Sequence, residues 1–135
     1  MLWYKDLYVG ERAEKRRASI IQTMRSGKAA PSAYAILPAA NGKDLLDILQ
    51  ALQLCGEQEA LWSRLTGREP LILGIAWGYQ DALELAGRMV DEVYRATGAF
   101  DVKAYLGLDG YPGSDGYGKA AGRIDQAADD AEVVG

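Results

Sequence analysis

The sequence predicts a small α/β domain, a βαβ-containing fold with a minimal parallel sheet packed by three helices. Two short apolar runs, residues 32–40 and 71–76, have the length of buried strands. Each precedes a glycine-containing turn and a segment with apolar residues at helical spacing. Strand, helix and strand in this order are typical of a right-handed parallel crossover. We therefore expect the two strands to lie side by side and to point the same way.

Composition divides the chain into one domain, 1–106, and a flexible tail, 107–135. The chain has 135 residues and is 49% hydrophobic, which is enough for one core. Thirteen acidic and thirteen basic side chains balance in the domain, whereas the tail carries six acidic and two basic ones, so the net charge of -4 lies in the tail. The tail is rich in glycine and poor in large aliphatic residues, so burial would not offset its ordering entropy.

Several features of the chain indicate the cytoplasm. Lys5 and Asp6 interrupt the first apolar residues, so the continuous apolar core of a signal peptide is missing. No segment reaches the roughly 20 apolar residues of a membrane span. Cys55 is the only cysteine, so no internal disulfide forms. We expect a cytoplasmic protein with no membrane partner.

The first predicted helix runs from Glu11 to Ser26 and ends at Gly27. Its apolar and basic residues fall largely on different faces. The second begins with Asn41 as N-cap and Asp44 as the acidic partner of a capping box. Leucines and isoleucines from Leu45 onward extend this long helix, with a break at Gly56, until Gly67 and Pro70 end it.

The third helix has the clearest amphipathic pattern. Asp91 and Arg95 form an i,i+4 pair on its outer side, and Gly98 is a C-cap. The acidic residues of this helix, Asp81 among them, are expected on an exposed surface. The residues expected along its apolar side are Ala82, Leu83, Ala86, Met89, Val90, Val93 and Tyr94.

Two strands make a poor sheet, and the sequence leaves open what completes it. Residues 2–9, "LWYKDLYV", or residues 99–105, "AFDVKAY", supply a third strand, or a second subunit pairs with a bare edge. The second segment is also read as a short turn that Asp101 caps and that docks Tyr105 and Leu106.

The two glycine turns are the candidate ligand site. Neither matches a P-loop or a dinucleotide fingerprint, because the glycine spacing and the P-loop Ser or Thr are missing. In a parallel sheet, however, both turns emerge at the carboxyl ends of the strands, where helix N-termini attract anions. A small anionic or nucleotide-like ligand is therefore a hypothesis for this edge. The residues concerned are Asn41, Gly42, Lys43, Gly74, Trp77, Gly78 and Tyr79.

Basic residues near the start indicate a possible nucleic-acid contact. Residues 11–28 hold six basic and two acidic side chains, and phosphate contacts need such an excess. The candidates are Arg12, Lys15, Arg16 and Arg17. Mixed charges on a solvated helix face are commoner, and no zinc-finger or RNP motif is present, so nucleic acid is the less favoured partner.

Catalytic patterns are scarce. With no histidine in the chain, Ser-His-Asp and Cys-His arrangements are impossible. Cys55 lies near an apolar stripe, where a buried structural residue is favoured over a nucleophile. We assign no catalytic residue, metal ligand or cofactor and lean against an enzyme.

Three stretches, "LWYKDLYVGERAEKRR", "GIAWGYQDALELAGRMVDEVYRATG" and "FDVKAYL", resemble a group of short uncharacterised bacterial proteins. The resemblance covers residues 1 to about 107 and implies an intracellular domain that ends near Leu106. It implies no activity, ligand or site residue. We expect a binding or protein–protein interaction domain whose partner is itself, as a homo-oligomer, or another protein. A ligand-binding regulator and a weak nucleic-acid binder are the alternatives.

Overall fold

The computed structural model describes residues 1–39 and 45–108. These residues form four strands and four α-helices, with 3-10 turns at Glu14–Arg16 and Ala51–Leu54. In chain order the elements are β1 (Leu2–Val9), α1 (Arg17–Arg25), β2 (Ala33–Pro38), β3 (Leu46–Gln50), α2 (Glu57–Thr66), β4 (Leu71–Trp77), α3 (Tyr79–Thr97) and α4 (Val102–Leu106). The predicted α/β class is confirmed.

The sheet is mixed, with the strand order β1-β4-β2-β3. β1 runs parallel to β4, whereas β2 runs antiparallel to both β4 and β3. The two strands predicted from the apolar runs, β2 and β4, do lie side by side, with Ala33 opposite Trp77 and Ile36 opposite Gly74. The expectation that they point the same way is wrong.

A strand missed in the sequence explains this error. The long helix expected from Asn41 to Gly67 does not form over Leu46–Gln50. This segment is a strand that pairs with β2, with Leu46 opposite Pro38 at one end and Gln50 opposite Tyr34 at the other. This hairpin reverses the chain, so the α2 crossover into β4 starts from β3. β3 and β4 are therefore parallel, with β2 between them.

The run "LDILQ" satisfies a strand as well as a helix pattern. Leu46 and Ile48 pack on one face of the sheet and Leu49 packs on the other, as the two-residue period of a strand requires. Short apolar runs do not distinguish the two periods, and pairing with β2 decides. Among the described residues of the expected helix, only Glu57–Thr66 is α-helical. With α4, the described residues contain four α-helices rather than three.

Two apolar cores cover the two faces of the sheet. Side chains of α3 and α4, including Leu85, Met89 and Leu106, pack on one face with Ile36 and Leu73. On the other face, a second core combines α1, the turn after β3 and α2 with the sheet, including Ile20, Met24, Leu54, Trp62 and Ile75. β4 lies inside the sheet, and Leu71 to Ala76 are all buried.

The open question of the third strand is answered by β1. Residues 2–9 form an edge strand beside β4, with Leu2 opposite Leu71 and a register shift between Trp3 and Tyr8. The later candidate is the short helix α4, which Asp101 caps by accepting a hydrogen bond from the amide of Ala104 at 3.2 Å. Leu106, the last residue of α4, is buried.

α3 ends as expected with a C-cap at Gly98, whose φ of 74° is left-handed. The buried side of α3 differs from the predicted one. Leu85 is buried, whereas Leu83 and Tyr94, expected along the apolar side, are exposed. The Arg95 Nε and the Asp91 Oδ2 lie 2.9 Å apart, as the spacing predicts.

The tail from Asp109 onward and the proposed cap residues Asn41 and Asp44 lie outside the described residues. Within 1–39 and 45–108, no helix has the length and apolar character needed to cross a bilayer.

Candidate functional site

The parallel strands β1 and β4 end at the same edge of the sheet. The ladder continues past β1, where the amide of Gly10 donates to the carbonyl of Ile75 at 2.8 Å. Trp77 ends β4, and Gly78, with φ 94°, forms the N-cap of α3. The β1–α1 turn and the β4–α3 turn therefore meet at this edge, which we call the strand-end edge.

Asp81 joins the two turns. Its Oδ2 accepts a hydrogen bond from the amide of Trp77 at 2.9 Å, and its Oδ1 accepts one from the amide of Arg12 at 3.4 Å. The side chain is 1% exposed, so the expectation of a surface carboxylate is wrong for Asp81. These two backbone amides and the dipole of α3 compensate the buried charge. Asp81 thus places a buried carboxylate beside the glycine turn where an anionic ligand was expected.

The two sets of predicted site residues partly come together here. The guanidinium of Arg16 lies 4.5 Å from the centre of the Trp77 ring, a cation–π contact. Arg12, Lys15 and Arg17 are exposed on the same segment. Tyr79, the first residue of α3, is exposed and contacts the Tyr34 ring at 5.8 Å. Basic and aromatic side chains therefore lie together at the strand-end edge.

Gly74, another predicted ligand residue, does not join them. Asn41, Gly42 and Lys43 lie outside the described residues, and because β2 is antiparallel to β4, the end of β2 lies at the opposite edge of the sheet from Trp77. Gly74 lies within β4, where a Cβ would approach Leu85 Cδ2 to 3.1 Å and Tyr8 Cβ to 3.2 Å. Its role is the close approach of α3 to the sheet.

A cavity of about 50 Å³ lies beside Trp77, between α1 and the segment that leads into β2. Ser19, Thr23, Met24 and Ala30 are among the residues that line it. Sites for small organic ligands span roughly 300–1,000 Å³, and one water takes about 30 Å³. This cavity has room for only one or two waters, so a ligand at the strand-end edge would bind on the surface.

A wider groove, about 470 Å³, lies along α2 and is lined in part by Glu59, Ser63, Arg68 and Glu69. The α-amino group of Met1 donates hydrogen bonds to two carboxylates of this groove, that of Glu59 and, at 2.7 Å, that of Glu69. This ammonium neutralises the acidic residues that would otherwise attract a cation. Among residues 1–39 and 45–108, no cluster of three or more potential metal ligands occurs.

Cys55 is buried beneath the turn that follows β3, as expected for a structural residue. Burial, with a smaller effect of Glu59, raises the pKa of its thiol to about 11. The thiolate is the nucleophilic form, so the thiol is unreactive at neutral pH.

One carboxylate joins two tyrosines on the β1 side of α3. Glu92 accepts hydrogen bonds from the hydroxyl groups of Tyr8 at 2.7 Å and Tyr105 at 3.0 Å. Burial first, and then this hydrogen bond, raise the pKa of Tyr8, whereas the hydrogen bond is the main cause of the raised pKa of Tyr105. Glu92 thereby fastens α4 and β1 to this flank of α3.

The opposite flank of α3 is apolar and, apart from the half-buried Val90, exposed. Tyr79, Leu83, Val90 and Tyr94 follow one another at spacings of four, seven and four residues, so they share one side of the helix. The contact of Tyr79 with Tyr34 on β2 shows that this side faces β2 and β3, away from β1. At its end, Phe100 stacks on Tyr94 with ring centres 4.9 Å apart.

β3 lies next to this flank as an edge strand. Leu46 and Ile48 pack on the α3 face of the sheet and are partly exposed, and among the described residues no strand pairs with the outer edge of β3. We call this continuous patch the β3–α3 surface: Leu46, Ile48, Tyr79, Leu83, Val90 and Tyr94.

Sequence reasoning missed both principal features. The β3–α3 surface includes a strand for which the sequence predicts a helix, and residues of α3 for which it predicts burial in the core. Asp81 had a recognisable signal, since an acidic residue three positions after a glycine N-cap is typical of a helix start. That Asp81 also binds the turn after β1 depends on the parallel pairing of β1 with β4.

Comparison with known proteins leaves the fold and these surfaces as the basis for function. No family model, curated protein or solved structure matches this chain.

The contact of Gly10 with Asp81 predicts a specific loss of stability. A Cβ at Gly10 would lie 2.7 Å from Asp81 Cγ, so Gly10→Ala should push the carboxylate off its amides and lower the free energy of unfolding by about 1–3 kcal/mol. Urea denaturation measures the change. The matched control is Gly87→Ala on α3, where a Cβ meets nothing within 4 Å and should add about 0.5–1 kcal/mol. Equal midpoints for the two variants would contradict this role of Asp81.

Buried thiol and phenol groups predict a loss of stability at high pH. Burial raises the pKa of Cys55 from 9.0 to about 11 and that of Tyr4 from 10.0 to about 12. Above pH 9 the unfolded chain therefore binds fewer protons at these groups than the folded one, so the free energy of unfolding should fall between pH 9 and about 11. Urea titrations at pH 8 and 10.5 test this. Cys55→Ala should show a smaller fall, and an unchanged fall would rule out the thiol as a contributor.

Proposed function

We propose that this protein is a non-enzymatic protein-interaction domain that binds its partner through the β3–α3 surface. The observation that carries the proposal is the position of an exposed apolar helix flank beside the outer edge of a strand. Partners commonly add a strand to such an edge, with backbone hydrogen bonds giving affinity and the neighbouring side chains giving specificity.

The two edges of the sheet support this choice. β1 exposes Lys5 and Asp6, and its register against β4 shifts between Trp3 and Tyr8. Charges and irregular register are common means of protecting an edge strand from unwanted pairing. β3 has one charged residue, Asp47, and pairs with β2 in unbroken register. The β3 edge is therefore the better template for a partner strand.

The two flanks of α3 differ in the same way. On the β1 side, Glu92 holds the hydroxyl groups of Tyr8 and Tyr105, and Asp81 holds backbone amides. On the β3 side, Leu83 is 41% exposed and Tyr94 is 48% exposed. Aromatic residues are enriched where proteins meet, and burial of a leucine contributes about 1.5–3 kcal/mol. The β3 side thus has the composition of an interface core.

Site-specific photo-crosslinking in the native cells tests the proposal. A photoreactive phenylalanine analogue at position 83 should give protein adducts, because this position lies at the centre of the proposed interface. Position 65 on α2 is the matched control, since Leu65 is also an exposed leucine, 77% accessible, on the opposite side of the sheet. Adducts at neither position, or equally at both, would refute the β3–α3 surface as the binding site.

A phosphate-bearing ligand at the strand-end edge is a second candidate. The contact of Arg16 with Trp77 supports it, because it brings a basic and an aromatic side chain to one place. Arg12, Lys15 and Arg17 would bind phosphates there, and Tyr79 would stack on a base. The buried charge of Asp81 opposes an anion at the helix N-terminus itself, so the contacts would come from these side chains.

Fluorescence anisotropy with single-stranded RNA and DNA tests this candidate. Affinity should fall steeply as salt rises, because binding would release counterions from the phosphates. Replacing Arg12, Lys15 and Arg17 together by alanine should weaken binding about tenfold or more at low salt. Arg64→Ala, which removes an exposed charge on α2, should have little effect. A flat titration at low salt would reject the candidate.

A further inference from the structure

We infer that the partner at the β3–α3 surface is a second copy of this chain, joined by antiparallel pairing of β3 with β3 across a twofold axis at Ile48. The inference rests on the proposed interaction function and adds the identity and register of the partner. The result would be one continuous eight-stranded sheet, with the two α3 helices side by side on one face.

Backbone hydrogen bonding sets which residues of β3 face outward. The amide of Gln50 donates to Gln53 Oε1 at 3.0 Å, so it points away from its partner Tyr34 on β2. In an antiparallel ladder alternate residues bond the same neighbour, so the amides of Ile48 and Leu46 also point outward. Pro38, opposite Leu46, has no amide hydrogen, which agrees with this phase. Ile48 therefore presents its amide and carbonyl to a new strand.

Pairing about Ile48 is compatible with the sequence of β3. Ile48 lies opposite Ile48 of the other copy, and their backbones exchange two hydrogen bonds. Leu46 then lies opposite Gln50, and Asp47 lies opposite Leu49. The Leu46 amide can donate to the Gln50 carbonyl, whereas the Gln50 amide stays bonded to Gln53 of its own copy. No charge meets a like charge, whereas parallel pairing in register would place the two Asp47 carboxylates together at a cost. A twofold interface needs such a self-complementary patch.

The flank of α3 extends the same interface above the sheet. β3 spans about 17 Å, and the α3 flank from Tyr79 to Tyr94 spans about 22 Å, so strand and helix give contacts of similar length. Leu83 and Tyr94, exposed in one copy, would meet the α3 flank of the other. The patch then becomes buried on both copies.

Sedimentation velocity of the full chain, from about 1 to 200 μM, measures the assembly. We expect a dimer of twice 14.6 kDa. Leu83→Glu should raise the dimer dissociation constant about tenfold or more, because it places a charge in the buried patch, and Leu65→Glu on α2 should leave it unchanged. Tyr94→Lys is a second disrupting variant, useful if circular dichroism shows that Leu83→Glu does not fold.

Amide exchange by NMR supplies a readout of the register. The Ile48 amide should be protected in the dimer and should exchange fast in Leu83→Glu, whereas the Leu49 amide, bonded to β2, should stay protected in both. A monomer across the concentration range, or a dimer in which Ile48 stays unprotected, would overturn the inference. Crosslinks at position 83 to a different protein, from a monomeric chain, would overturn it as well and leave the interaction function standing.

Discussion

The structure depends on the burial of β4 between two strands and between two helical layers. Residues Leu71 to Ala76 are all buried, and the strand pairs with β1 on one side and β2 on the other. Such a strand has no polar face, which is why its sequence is almost continuously apolar. β1, β2 and α3 are all placed by their contacts with it, and Gly74 lets α3 approach closely. The positions of both candidate sites follow from this central strand.

The direction of β1 relative to β4 creates the strand-end edge. Because the two strands are parallel, the turns after Val9 and Trp77 meet, and Asp81 binds an amide from each turn. The same carboxylate that stabilises this junction lies in the first turn of α3 and opposes an anionic ligand at the helix N-terminus. What remains for a ligand is the outer layer of basic and aromatic side chains. This is why the geometry supports the strand-end edge less well than the β3–α3 surface.

The β3–α3 surface arises from an asymmetry between the two sides of the molecule. On the β1 side, charged residues and an irregular register make the sheet edge a poor template for another strand. The hydrogen bonds of Glu92 hold Tyr8 and Tyr105 against the helix flank. On the β3 side, the strand edge and the helix flank are both apolar and lie together. A surface with backbone donors and acceptors beside leucine and tyrosine side chains offers a partner the two contributions that strand addition needs.

The sequence by itself determined the α/β class, β2 and β4 as neighbouring strands and the end of α3 at Gly98, because these features depend on local period and capping. It did not determine the strand at Leu46–Gln50, since a short run with both periods is decided by pairing with β2. The direction of β2 relative to β4 followed from that pairing, and the contacts of Asp81 followed from the parallel pairing of β1 with β4. These properties depend on contacts between residues far apart in the chain, and only the tertiary structure supplies them.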